Sequence, residues 1–287
     1  MLTWSLLGFI SIPSQRHKTW RRVLADTAFR WMLITQRISF IGTLIGPSAG
    51  TYASWCKKNS MEPCVENIEG GTQLFWIGDK RPEKLILYLH GGGFSLPIGY
   101  YSIRFWRYIQ RELQASGCGV SIAILNYDLV PKAQFPVPLA QTVASVHHLL
   151  SNGIRPENIQ LTGDSAGGNL VLQLLLHMLH PQKGIRVLSP GIRFRGAYLM
   201  SPWMYLTPRD GVRSYIENAG KDVVPSKEKY AEFGAKVLSG IMDREDLQYI
   251  DASHMPQGWY ENIGSVIDRL LNCNVRLPAR FTGSFVI

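Results

Sequence analysis

From about residue 84 onward the apolar positions of this chain fall into two alternating textures. Strand-length stretches occur in "KLILYLHGGGF" (84–94), whose run is fully apolar, and in the mainly apolar "VSIAILNYDLVP" (120–131), "NIQLTGDS" (158–165) and "RGAYLMSPW" (195–203). Between them lie "YSIRFWRYIQRELQASG" (101–117), "PLAQTVASVHHLLSNG" (138–153) and "AGGNLVLQLLLHMLH" (166–180), whose apolar residues recur at helical spacing. A strand with no polar alternation is buried on both faces. Strands of that kind, alternating with helices, predict a mostly parallel sheet covered on both sides.

Upstream, residues 1–60 mix basic and bulky apolar positions at helix-like intervals, as in "RRVLADTAFRWMLITQRI", and predict amphipathic helices. "CVENIEG" and "TQLFWIGD" read as a hairpin turning at Gly70-Gly71. Residues 204–262 are more polar and irregular, which suits a segment covering one edge of the sheet, and "IGSVIDRLL" (263–271) reads as a last strand or a short helix. The expected organisation is one α/β unit: a helical cap or membrane-contacting segment over 1–60, a core over 61–203, a covering insertion over 204–262, and a last strand with a divergent tail over 263–287.

Composition narrows the function classes only modestly. The 287 residues are 46% hydrophobic and 18% charged, a globular balance. The formal net charge is +9. Apart from "RHKTWRR" (16–22) the basic residues look scattered and no nucleic-acid-binding motif accompanies them, so the charge reads as a solvated basic surface rather than a nucleic-acid site. The four cysteines show no paired spacing or metal-type pattern, which predicts reduced thiols and an intracellular, cytoplasmic setting, with a Cys56–Cys64 bridge as the alternative. "MLTWSLLGFISIP" is too short to span a bilayer, and "ISFIGTLIGPSAGTYASWC" (38–56) is diluted by Gly, Ser, Thr and Pro. Peripheral membrane contact through the N-terminus therefore stands as a reading ahead of a true span, and a peroxisomal address stays open although "FVI" is not a peroxisomal tripeptide.

The chemistry-bearing stretch is "LTGDSAGGNL" (161–170). Gly163-Asp164-Ser165-Ala166-Gly167 fits G-x-S-x-G in its required context, after an apolar strand and before an apolar helix. The serine then sits in a strained turn where side chains at 163 and 167 would collide with backbone, and the helix N-terminus faces the reacting oxygen. Upstream, His90-Gly91-Gly92-Gly93 ends a buried strand, where backbone amides can approach a carbonyl as an oxyanion hole. His90 itself reads as a loop-shaping residue rather than a base.

These motifs, with "NYDLVPKAQFPVPL" (126–139), resemble the hormone-sensitive-lipase-like branch of the α/β-hydrolases over about residues 60–271. Asp128 and Lys132 depart from that branch's usual Arg and Glu, while "SPW" (201–203) and "QGWYENI" (257–263) are similar to its fungal members, including esterases of secondary-metabolite clusters. The resemblance implies an α/β-hydrolase fold and hydrolysis of a carboxylic ester through an acyl-enzyme, with no metal or organic cofactor. It makes Ser165 the nucleophile and Gly92, Gly93 and Ala166 the oxyanion donors, with Gly91 shaping the loop.

The triad order in such enzymes is Ser, then Asp or Glu, then His. No histidine follows His254 and no acid follows Asp268. By order the base is His254, in the covering segment, with Asp246, Asp222 or Asp243 as acid; Asp251 lies too close in sequence to occupy a separate loop. His254 reads first as a surface-loop histidine, since triad partners sit on loops at strand ends. The expectation is that the family's acid and histidine belong to sequence lost after Leu271, through a frame change, an unspliced intron or a degraded copy. A non-catalytic small-molecule-binding relative and a truncated inactive copy are the competing readings.

Overall fold

The computed structural model describes residues 19–35, 38–208, 217, 226–241, 243–268 and 270–273. Among the described residues the first helices are α1 (Trp20–Thr35), α2 (Ile38–Ile45) and α3 (Ser48–Lys58). The uncharged stretch 38–56 is thus not one helix. Gly46 takes φ +78° and Pro47 supplies no N–H, and together they divide it. Among the described residues no helix is long and apolar enough to cross a membrane.

The strands are β1 (Cys64–Ile68), β2 (Thr72–Ile77), β3 (Leu85–Leu89), β4 (Ser121–Asn126), β5 (Ile159–Asp164), β6 (Gly196–Met200) and β7 (Leu270–Cys273). They form one sheet in the order β1-β2-β4-β3-β5-β6-β7. β1 and β2 make the expected hairpin and β2 runs antiparallel to β4, while the other neighbours are parallel. The sheet is therefore mostly parallel, as the alternating pattern implied. β3 is buried at every position, which explains why "LILYL" shows no alternation.

Helices cover both faces. On one side α3 and α4 (Tyr100–Ala115) pack Tyr52, Trp55, Ile103 and Trp106 against Phe75, Tyr88 and Ile124. The Tyr52 hydroxyl donates to the Trp76 carbonyl (2.6 Å) and accepts the Cys64 N–H (3.0 Å), so α3 clamps the hairpin. Cys56 and Cys64 are free thiols, which disposes of the bridge between them. On the other side lie α5 (Val137–Ser151) and α6 (Ala166–Leu179), the latter buried from Ala166 through His177.

Among the described residues after β6 lie α7 (Lys227–Leu238) and α8 (Arg244–Ile250), with α8 packed on α6. "IGSVIDRLL" resolves into both of its readings: a 3-10 turn at Ile263–Ser265, then β7 beginning at Leu270 beside β6. Asp268, just before that strand, is exposed and ion-paired with Arg193 at 2.6 Å.

The register fixes where chemistry can occur. Leu89 of β3 lies opposite Gly163 of β5, and Gly163 opposite Leu199 of β6, so three parallel strands end level. In open α/β sheets ligands bind outside such carboxyl ends.

Candidate active site

Ser165 is the residue at which β5 breaks into α6. Its backbone stands at φ +49°, ψ −116°, a conformation costing roughly 1–3 kcal/mol for a residue with a Cβ. Three hydrogen bonds hold it there. Its N–H donates to the Met200 carbonyl (3.0 Å), and its carbonyl accepts from the N–H groups of Trp203 (2.9 Å) and Asn169 (3.1 Å). Space decides the flanking residues. A Cβ at Gly163 would come within 2.4 Å of the Gly167 backbone, and one at Gly167 within 1.9 Å of the Leu89 carbonyl oxygen. The collisions expected of the motif are therefore with the helix's own first turn and with the end of β3.

The glycine-rich loop is tied directly to this turn. Asp164 accepts the Gly91 N–H at 2.8 Å and also the Tyr88 hydroxyl, so the residue before the serine holds the start of the loop. A side chain at Gly91 would strike that carboxylate, and one at Gly92 (φ +116°) would lie 2.7 Å from the Leu96 carbonyl. Burial pushes the Tyr88 phenol well above its ordinary value, and the Asp164 charge adds to this; the group stays a neutral donor.

His90 is buried and stacks on Tyr127 at 4.5 Å, with Nδ1 2.7 Å from the Gly91 carbonyl. Tyr127 in turn donates to the His90 carbonyl at 2.6 Å. Burial lowers the imidazole pKa, opposed by the Gly91 carbonyl and the Asp164 charge. A neutral, fully packed ring of this kind braces a loop. Among the described residues the N–H groups of Gly92, Gly93 and Ala166 have no hydrogen-bond acceptor, and neither does the Ser165 hydroxyl. Backbone amides without an acceptor are the kind of group from which an oxyanion site is built.

His254 and Asp246 are not brought together. Asp246, in the first turn of α8, accepts from the Gln182 side chain at 2.5 Å. The carboxylate beside His254 is that of Asp251, fully buried at the C-terminal end of α8. It accepts the N–H groups of Thr207 and Ser253, each at 2.9 Å, and lies 3.7 Å from His254 Nδ1. Ser253 Oγ is nearer that nitrogen, at 2.8 Å. Asp251 and His254 share one turn after α8, three residues apart, so this carboxylate does not come from a separate loop. Asp243 caps α8 through the Glu245 N–H, and Asp222 lies outside the described residues.

Two residues that the motif reading passed over connect these parts. Asn169, one turn beyond Ser165, donates to the carbonyls of Trp203 (2.7 Å) and Ile250 (2.8 Å). Gln173, one turn further on, donates to Asn169 Oδ1 at 2.6 Å. The only signal in the sequence was two amides at helical spacing on an otherwise apolar helix. Gln173 also borders a small apolar cavity lined by Phe94, Val130, Phe135, Val237 and Ile250. Among the described residues no group of three or more His, Cys, Asp or Glu side chains could hold a metal ion.

Known proteins with this arrangement give the chain its family. A model of the alpha/beta hydrolase fold matches residues 86–255. The chain is 26% identical over 185 residues to neutral cholesterol ester hydrolase 1 of Bos taurus, covering 58% of this chain and 44% of that protein. It is 30% identical over 149 residues to mug81 of Schizosaccharomyces pombe, provisionally named a steryl acetyl hydrolase, covering 51% of this chain and 38% of that protein. It thus spans less than half the length of these curated relatives. Among solved structures it resembles an esterase from the bacterial hormone-sensitive lipase family, with a TM-score of 0.57, 24% identity, and coverage of 86% of this chain and 75% of that one. With the elbow at Ser165, the loop at 90–94 and the level strand ends already in place, the match over residues 86–255 assigns the chain to the alpha/beta hydrolase fold family.

Proposed function

We propose that this protein hydrolyses carboxylic esters, with Ser165 attacking the acyl carbon and an acyl-enzyme as the intermediate. The observation that carries the reading is the bond between Gly91 and Asp164, which joins the glycine loop to the strained serine turn. Gly92, Gly93 and Ala166 would donate to the developing oxyanion, the kind of contact whose single loss costs about 10²–10³ in kcat. The relatives named for cholesterol ester and steryl acetyl hydrolysis support an apolar alcohol moiety. A role in fungal secondary metabolism rests on the motifs around Trp203 and Trp259 alone.

The hydroxyl needs a base to be an efficient nucleophile. Among the described residues none hydrogen-bonds Ser165 Oγ, and this favours a second reading in which the chain is catalytically impaired or binds without turnover. One set of measurements separates the two. A fluorophosphonate probe is expected to label the protein and to fail on Ser165→Ala, and short p-nitrophenyl esters should be turned over by the parent only. His254→Ala is expected to leave that turnover essentially unchanged, because among the described residues the ring's polar contacts are with Ser253 and Asp251 of its own turn and none is with Ser165. Equal labelling of the alanine variant overturns the nucleophile. Loss of turnover in His254→Ala as complete as in Ser165→Ala makes His254 the base. Labelling without turnover supports the impaired reading.

A further inference from the structure

The first two described helices, α1 and α2, present an unusual outer face. Val23, Leu33 and Ile41 are buried and fasten α1 and α2 to the molecule. On the solvent side of α1, Trp20 is 52% exposed, Trp31 46% and Ile34 50%; at 100° per residue these three fall within about 60° of one another. On α2, Phe40 and Leu44, four residues apart, are 49% and 64% exposed. Single exposed apolar residues are ordinary, but two consecutive helices that each turn their largest side chains outward form a surface that water does not favour.

Charge says what covers it. Residues 1–61 contain eight Lys and Arg (Arg16, Lys18, Arg21, Arg22, Arg30, Arg37, Lys57, Lys58) and one acid, Asp26, a net +7. The remaining residues contain 22 Lys and Arg against 20 Asp and Glu, a net +2 (30 − 8 and 21 − 1). The one acid is nearly buried and ion-paired with Arg22 at 2.8 Å. The Arg21 guanidinium lies over the Trp20 ring at 5.3 Å, at the start of the apolar stripe. Tryptophans flanked by arginines, on a helix of low overall hydrophobicity, are the composition that settles at the headgroup level of a bilayer. We infer that α1 and α2 dock this protein on an anionic lipid surface, lying in its plane. A span is excluded for α1 by length, since 16 residues at 1.5 Å give about 24 Å against a hydrocarbon core of about 30 Å.

The position of the face gives docking a consequence. A Cβ on Gly42 of α2 would touch the Ser95 carbonyl at 3.7 Å and Pro97 at 3.8 Å, so α2 rests on the continuation of the glycine loop. A lipid surface held against Phe40 and Leu44 therefore lies across the width of α2 from residues 95–97, the segment that follows Gly92 and Gly93. This delivery role rests on the ester-hydrolase reading; the docking itself does not.

The test uses the full chain and vesicles of phosphatidylcholine, with and without about 30% phosphatidylserine. Sedimentation should carry the protein down with the anionic vesicles only, about tenfold or more weaker at high than at low salt, because the attraction to anionic headgroups is screened. Trp20→Ala/Arg21→Glu/Trp31→Ala should lose about tenfold or more of that binding while its melting temperature stays within a few degrees of the parent. Trp20→Phe/Trp31→Phe keeps the apolar face. It should bind as the parent does but lose most of the tryptophan quenching by brominated lipid, a readout that unfolding does not imitate. Equal binding to both vesicle types, or unchanged binding of the triple variant, overturns the inference. So does binding abolished by deleting residues 1–18 but insensitive to the triple variant. A parent that is dimeric in solution, does not bind vesicles and becomes monomeric in the triple variant would assign the face to a second copy. Failure of the fluorophosphonate experiment would leave every one of these outcomes readable.

Discussion

Ser165 and the glycines around it show how one strained residue is held by its neighbours. Steric space and backbone conformation are separate demands, and two glycines distinguish them. Gly167 has an ordinary helical backbone, yet a Cβ there would lie 1.9 Å from the Leu89 carbonyl oxygen and 2.6 Å from its carbon, neither of which can move without displacing β3. Gly93 has φ +61° but open space, with Trp203 3.8 Å from a built Cβ. Gly93→Ala should therefore cost only the left-handed penalty of about 1–2 kcal/mol, whereas Gly167→Ala should cost more than about 3 kcal/mol or prevent folding. Urea unfolding midpoints check this, and equal losses at the two positions would refute the steric account. Both glycines were legible in the sequence because the G-x-S-x-G and glycine-run patterns specify them. The Asp164–Gly91–Tyr88 connection was not, because it joins residues 73 and 76 positions apart and depends on strand order.

At the scale of elements, α6 is the part on which the others converge. It lies between the sheet and α8, and Asn169 bridges two of its neighbours through buried carbonyls. Asn169→Leu leaves both carbonyls without a donor and should cost about 2–4 kcal/mol. Gln173→Leu removes one amide partner and should cost less. The larger loss should also loosen the covering segment, so limited proteolysis within residues 243–262 should quicken in Asn169→Leu well before global unfolding. Cleavage at the parent's rate would mean that apolar packing alone holds α8. The strands and helices of the core were readable because β3 and β4 are buried on both faces and their helices show clean 3.6-residue spacing. The segment after β6 was readable only as irregular, since α8 is seven residues long, buries only Tyr249 and Ile250, and is tied to α6 by the Asn169 amide on the Ile250 carbonyl. β7 begins later than the apolar pattern suggests because Phe194 meets Ile267 in an isolated bridge and a 3-10 turn takes up residues 263–265.

The whole molecule responds to pH through histidines that folding keeps neutral. His177 is buried in the last turn of α6. Its Nδ1 accepts the Gln182 N–H at 2.9 Å, so Nε2 carries the proton and donates to the Arg186 carbonyl at 3.1 Å. A second proton on the ring would break the Gln182 bond. Burial pulls this imidazole below its ordinary value near 6.5, and the Arg186 carbonyl offsets part of the effect. His90 and His147 are lowered as well, each chiefly by burial, with the Arg186 charge adding to the shift at His147. A histidine whose folded pKa lies below its unfolded one binds fewer protons in the native state, so stability rises with pH across the interval between the two values. The stabilisation is complete above about pH 6.5 and is lost as pH falls from there toward the folded pKa values. Melting temperature should consequently be level above neutrality and drop as pH falls below about 6.5. His177→Leu should melt lower than the parent at pH 7.5, because Arg186 and Gln182 lose their partner, yet its melting temperature should fall less over the acid interval. A variant whose acid slope matched the parent's would show that the pH response arises elsewhere and that the buried ring of α6 takes no part in it.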